Sequence, residues 1–132
     1  MAHSVRSARH LRAHAWVLAI LAIGACGSED RAASAPGSAI GDPQAGARII
    51  ADLGCGMCHA IPGIAGARGG VGPDLAAFAQ RRYFAGSQPN QPERLLQWML
   101  DPPSLSPSTA MPPMPIDADQ ARDVVAFLYT LR

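Results

Sequence analysis

The chain has 132 residues and is nearly balanced in charge, with 11 basic side chains, all arginine, against 10 acidic ones and a formal charge of +1. A length of this order holds one small domain, and the balance excludes the basic footprint of a nucleic-acid binder, so no nucleic-acid partner is expected. From Cys26 onward the count is 8 Arg to 10 acidic residues, a formal −2, and His59 is the only histidine in that part.

Arg6, Arg9 and Arg12 precede an apolar run from Ala15 to Ala25, "AWVLAILAIGA". A positive segment followed by an apolar stretch of this length is the pattern of an export signal. It falls short of the roughly 20 apolar residues that a helical membrane span needs. The run closes on "IGAC" at 23–26, which resembles the lipobox of bacterial lipoproteins: an aliphatic residue, two small residues and a cysteine. That resemblance implies cleavage before Cys26, lipid attached to Cys26, and an anchor on the periplasmic side of a bacterial membrane. Residues 27–41, "GSEDRAASAPGSAIG", are small, polar and aperiodic, as in a flexible tether. The expected organisation is therefore a lipoprotein-type signal peptide at 1–25, an acylated cysteine and tether at 26–41, and a folded domain at 42–132.

The domain opens with Asp42-Pro43, a helix cap followed by proline at the first helical position. Ile49, Ile50 and Leu53 contribute an apolar face to that helix. Next comes "GCGMCH" at 54–59. Two thiols separated by two residues, with a histidine directly behind, match the pattern of covalent c-type haem attachment. A helical turn sets both sulfurs along one porphyrin edge and aims the imidazole at the iron. A structural zinc site needs four ligands, more than the two cysteines and one histidine present. A thioredoxin-like pair has no need of the histidine, and a disulfide across so short a loop stabilises little.

Further along stand "VGPDL" at 71–75, a turn before a short helix at Asp74, and the pair Arg81-Arg82. In "PNQPERLLQWMLDP", 89–102, Pro92 marks a helix start, and Leu95, Leu96, Met99 and Leu100 recur at helical spacing. "STAMPPMP" at 108–115 is stiffened by proline. Asp117 and Gln120 form a capping-box pair ahead of a last helix with Val124, Phe127, Leu128 and Leu131 on one side. For a second axial ligand, Met57 sits inside the attachment turn and cannot reach the opposite face, and Met99 belongs to the apolar stripe of a helix. Met111 and Met114 are left.

Taken in this order, these segments resemble class I cytochromes c over residues 42–132. "PNQPERLLQWMLDP" followed by a proline-flanked "MP" is especially similar to the cytochrome c domains fused to subunit II of some haem-copper oxidases. The resemblance implies a mainly α fold, a small cytochrome c domain whose N- and C-terminal helices cross where Gly46 faces Phe127 or Leu128, around one covalent haem c. It implies thioether bonds from Cys55 and Cys58, His59 as an iron ligand, and the carbonyl of Pro73 accepting from the His59 ring. Arg81 and Trp98 would each contact a haem propionate. By register with the last helix, Met111 would be the sixth ligand and Met114 an apolar packing residue. A soft thioether ligand raises the reduction potential.

The function so implied is electron carriage by Fe(II)/Fe(III) cycling, not enzymatic catalysis. The partners would be redox proteins, a haem-copper oxidase or a periplasmic dehydrogenase for which the chain is the accepting haem subunit. A peroxidase wants a distal acid-base group, and the one histidine is already used. A gas-binding sensor would require that neither Met111 nor Met114 hold the iron. Lacking lysine, the chain offers Arg68, Arg81, Arg82 and Arg94 as a weak basic rim, and the lipid tether would raise effective concentration at the membrane.

Overall fold

The computed structural model describes residues 40–132. The expected signal peptide, the lipid site Cys26 and nearly all of the tether lie outside the described residues. Among the described residues, no helix is long and apolar enough to cross a membrane.

Helix α1, Pro43–Asp52, starts as its sequence dictates: Asp42 is extended and its carboxylate accepts from the Gln44 N–H at 2.8 Å. It stops where Leu53 is followed by Gly54 at φ 68°, the left-handed conformation that glycine adopts without penalty. The last helix, here α4, is Ala118–Leu128. Its capping box is complete: Asp117 accepts from the N–H groups of Asp119 and Gln120 at 2.9 and 2.8 Å, while the Gln120 side chain accepts from the Asp117 N–H at 3.1 Å.

α1 and α4 cross at Gly46. A Cβ built there would lie 2.0 Å from the carbonyl oxygen of Asp123 and 3.0 Å from Cβ of Phe127. Glycine is what lets the two backbones touch, and the expected partner Phe127 is there. A side-chain tie completes the crossing, since the Asp42 N–H donates to the Asp123 carboxylate at 2.8 Å. Ile50 from α1 and Ala121, Val124, Val125, Phe127 and Leu128 from α4 are buried, each large side chain contributing ~1.5–3 kcal/mol by leaving water.

Between these ends lie α2, Pro92–Leu100, and the single turn α3, Pro102–Leu105. The bend at Asp101 is the one expected before a proline. α2 packs on α4, burying Leu95, Trp98 and Met99. These follow the i, i+3, i+4 rule of one helix face. Leu100 lies off that stripe and is 37% exposed, so its place in the apolar repeat does not bury it.

Two features differ from the sequence expectations. No helix starts at Asp74; its carboxylate instead accepts from the Ala76 N–H at 2.7 Å, closing a turn, and only a 3₁₀ turn at Phe78–Gln80 follows. A two-stranded antiparallel hairpin, β1 Tyr83–Phe84 with β2 Gln88–Pro89, had no counterpart in the reading. Its loop places Ala85 and Gly86 at φ 42° and 82°. Alanine in that conformation costs about 1–2 kcal/mol, which is why the sequence carries so weak a turn signal. The hairpin brings Phe84 edge-on to Trp98, with ring centroids 5.8 Å apart, while Phe78 of the 3₁₀ turn stands edge-on to Tyr129 at 6.2 Å.

Candidate functional site

A cavity of ≈ 460 Å³ opens in the domain. Its walls include Leu75, Phe78 and Phe84 together with Ile50, Leu95 and Val124, three side chains that the sequence places on apolar helix faces. Cys55, Cys58 and His59 line it from the attachment turn, Trp98 from α2, and Met111 and Met114 from the proline loop. Among the described residues, Arg81 is the only arginine in the lining and no carboxylate residue is part of it.

The seat of His59 is built by backbone. After Gly54, residues Cys55–Met57 make one 3₁₀ turn, and the His59 N–H donates to the carbonyl of Cys55 at 3.0 Å. The following loop is stitched to that turn by the N–H of Gly72 to the carbonyl of Cys58 and the N–H of Leu75 to that of Ala60, both 2.8 Å. This carries Pro73 alongside the imidazole, where Nδ1 of His59 donates to its carbonyl at 2.7 Å. A carbonyl can only accept, so Nδ1 holds the hydrogen and Nε2 keeps the lone pair that binds a metal. Gly72 is needed for that approach, because a Cβ there would lie 2.4 Å from Cε1 of His59.

Burial pushes the Cys55 thiol up, partly offset by a backbone hydrogen bond, with the neighbouring Cys58 adding to the rise. Cys55 is thus held as a neutral thiol at neutral pH. Arg81 turns inward: Nη2 donates to the carbonyls of Asp74 and, at 2.8 Å, Ala76, and the guanidinium stands 5.7 Å from the Phe78 ring centroid. It is not part of a surface rim. Trp98 donates its indole N–H to Sδ of Met111 at 3.1 Å, a partner that the reading did not name.

The structure also brings in a residue that sequence reasoning missed. Asn90 donates to the carbonyls of Phe78 and Arg81 at 2.9 and 3.1 Å and accepts from the Tyr129 hydroxyl at 3.0 Å. It pins the segment carrying Arg81 to the end of α4. Lying between prolines in "PNQP", it gave only a turn signal.

The chemistry of this cavity fits a flat apolar group gripped at one edge. Two thiols sit at the rim, an imidazole with its lone pair on Nε2 faces in, two thioethers come from the proline loop, and the remaining walls are mostly apolar, with Arg81 among them. Such a donor set suits an iron porphyrin.

Comparison with known proteins agrees. The pattern that defines the cytochrome c family matches residues 43–132, and the chain belongs to that family. It is also 31% identical over 88 residues to cytochrome c oxidase subunit 2 of Alkalihalophilus pseudofirmus. The match covers 66% of this chain and 25% of that relative, so the chain spans a quarter of the relative's length. Membership implies a covalently bound haem c and transfer of electrons to and from redox partners, so residues 43–132 form a domain of the electron-carrying kind.

Proposed function

We propose that this chain is a membrane-tethered cytochrome c carrying one haem, delivering electrons to a terminal haem-copper oxidase on the periplasmic side of a bacterial membrane. The observation that carries the oxidase reading is the similarity to an oxidase subunit 2, in which a stretch comparable to this domain takes up a quarter of the chain. The tether reading rests on "IGAC" at 23–26 and the aperiodic residues after it.

Each residue has a separate task. Cys55 and Cys58 form thioether bonds that keep the group in a domain too small to enclose it otherwise. His59 would hold the iron through Nε2, with Pro73 fixing the ring and strengthening it as a donor. Met111 would add its thioether as a second protein ligand. Arg81 is poised at the wall to meet an acidic edge of the group, in a charge-assisted pair. The apolar walls exclude water, which disfavours the state with the extra positive charge. When bound, the haem supplies one-electron Fe(II)/Fe(III) cycling. Cys26, through its lipid, holds the domain near its acceptor and raises effective concentration.

Three measurements test this. Oxygen uptake by membranes of a strain lacking the protein should fall and return on re-expression; full cytochrome-dependent oxidase activity without it would remove the oxidase assignment. Reduced protein should show the same absorption spectrum with and without carbon monoxide, and rapid binding to undamaged protein would replace the carrier by a sensor. Cys26→Ser should release the protein from membranes with its spectrum intact.

A further inference from the structure

Met111 and Met114 are joined by Pro112 and Pro113, and Pro115 follows. A proline fixes its own φ at about −65° and pushes the residue before it into extended backbone. Met111, Pro112 and Met114 each precede a proline, so the sequence dictates a polyproline II segment, with three residues to the turn. Burial keeps that period. Met111 and Met114 are half-buried, while Pro112, Pro113 and Pro115 are exposed. The two thioethers therefore share one face of the segment, about 9 Å apart along its axis, and both line the cavity.

Their surroundings differ. Among the described residues, Met111 and Ile116 pack against the buried core, and Met114 between them is not one of the side chains that do. Its half-burial comes from the cavity wall. The segment is also lightly fastened. Three of the five residues 112–116 are prolines and have no N–H to give. The Met111 N–H donates to Thr109 Oγ1 at 3.1 Å, the Trp98 indole donates to the Met111 sulfur at 3.1 Å, and the Ile116 N–H donates to the Met114 carbonyl at 2.9 Å. Polyproline II has no hydrogen bonds of its own, so the segment can slide along its axis without breaking a ladder.

We infer that Met114 is a sulfur ligand in reserve, which takes the iron when Met111 leaves it. The inference rests on the reading of Met111 as the resident sixth ligand. Other donors are not placed for the exchange. The chain has no lysine, and His59, the only histidine from Cys26 onward, already serves. Met57 lies in the attachment turn, and Met99 is 7% exposed within the buried stripe of α2. With one loop methionine, every excursion of the loop would open the sixth position to small molecules. A second thioether one turn along closes it with a ligand of the same softness, which keeps the potential that of a carrier.

The test uses the haem-loaded protein with Met111→Leu, which keeps the side-chain volume without the sulfur, and Met111→Ala beside it to leave the loop unhindered. Met114→Leu and the double variant Met111→Leu with Met114→Leu complete the set. The readings are the sulfur-to-ferric-iron charge-transfer absorption and the reduced spectrum before and after carbon monoxide. The expected result is that the Met111 variants keep a charge-transfer band, shifted in position, and still refuse carbon monoxide. Met114→Leu alone should match the original protein, and the double variant should lose the band and bind carbon monoxide at once. Loss of the band with immediate carbon monoxide binding in both Met111 variants overturns the inference and leaves the Met111 reading standing. A band that survives in the double variant also overturns it, because the sulfur then comes from elsewhere. If Met114→Leu alone loses the band while Met111→Leu keeps it unmoved, Met114 is the resident ligand, and the Met111 reading fails together with the inference.

Discussion

α1 and α4 hold each other by burial, whereas the stretch from Gly69 to Arg82 that seats His59 and Arg81 is held by backbone hydrogen bonds. In the helix pair the specification is redundant: caps, apolar faces and a glycine crossing all agree, and Ile50 and Val125 are almost wholly removed from water. In the site shell, exposed residues such as Gly70 and Val71 alternate with single fixed points: Gly72 on the carbonyl of Cys58, Pro73 against His59, Arg81 on two carbonyls. Burial sets stability in the first region, and the second spends its contacts on orientation.

That contrast breaks most sharply at Gly46. Gly46→Ala, forcing a Cβ to within 2.0 Å of the Asp123 carbonyl unless the helices part, should cost ~3 kcal/mol; Gly46→Val should leave no cooperative urea transition. In the other region, Gly72→Ala meets the edge of the His59 ring at 2.4 Å. It should cost less, ~1–2 kcal/mol, because the loop can yield. Its larger effect should be on the haem spectrum and on carbon monoxide binding, since the imidazole must turn away from Pro73. Should Gly72→Ala leave the spectrum alone while lowering stability as much as Gly46→Ala, the division between the regions would be wrong.

Smaller effects sharpen it further. Asp117→Ala removes the capping box of α4 and should cost ~1 kcal/mol in urea unfolding. Last comes Tyr129→Phe. The Tyr129 phenol is pushed up by burial and then by Glu93, so the fold prefers it neutral. The stability this gives is fully present below the ordinary phenol range and is lost as pH rises through the raised value. The phenylalanine variant should lose ~0.5–1.5 kcal/mol at neutral pH with the Asn90 hydrogen bond. Its stability should then fall less steeply above pH ~10.

What the sequence disclosed follows the same division. The helix caps at Asp42 and Asp117 and the proline start of α2 are local chemistry, the Gly46 crossing is what the family resemblance implies, and the structure has each in place. The two thiols and His59 are likewise contiguous. The hairpin escaped because Ala85 takes a conformation that alanine rarely adopts. Asn90 escaped because its three side-chain partners stand 9, 12 and 39 residues away, and nothing in spacing reports such a knot. The sulfur facing Trp98 belongs to the same kind: the distance from residue 98 to 111 says nothing of which lone pair an indole will meet.

The crossing at Gly46 also orders events in time. α1 finds its principal helical partner only in α4, which begins 60 residues after Cys58. During synthesis the first helix therefore lacks its principal packing surface until α4 has emerged, and the pair of thiols with its imidazole precedes that surface throughout the interval. A domain closed by its own last helix keeps its attachment turn reachable for as long as it is still being made.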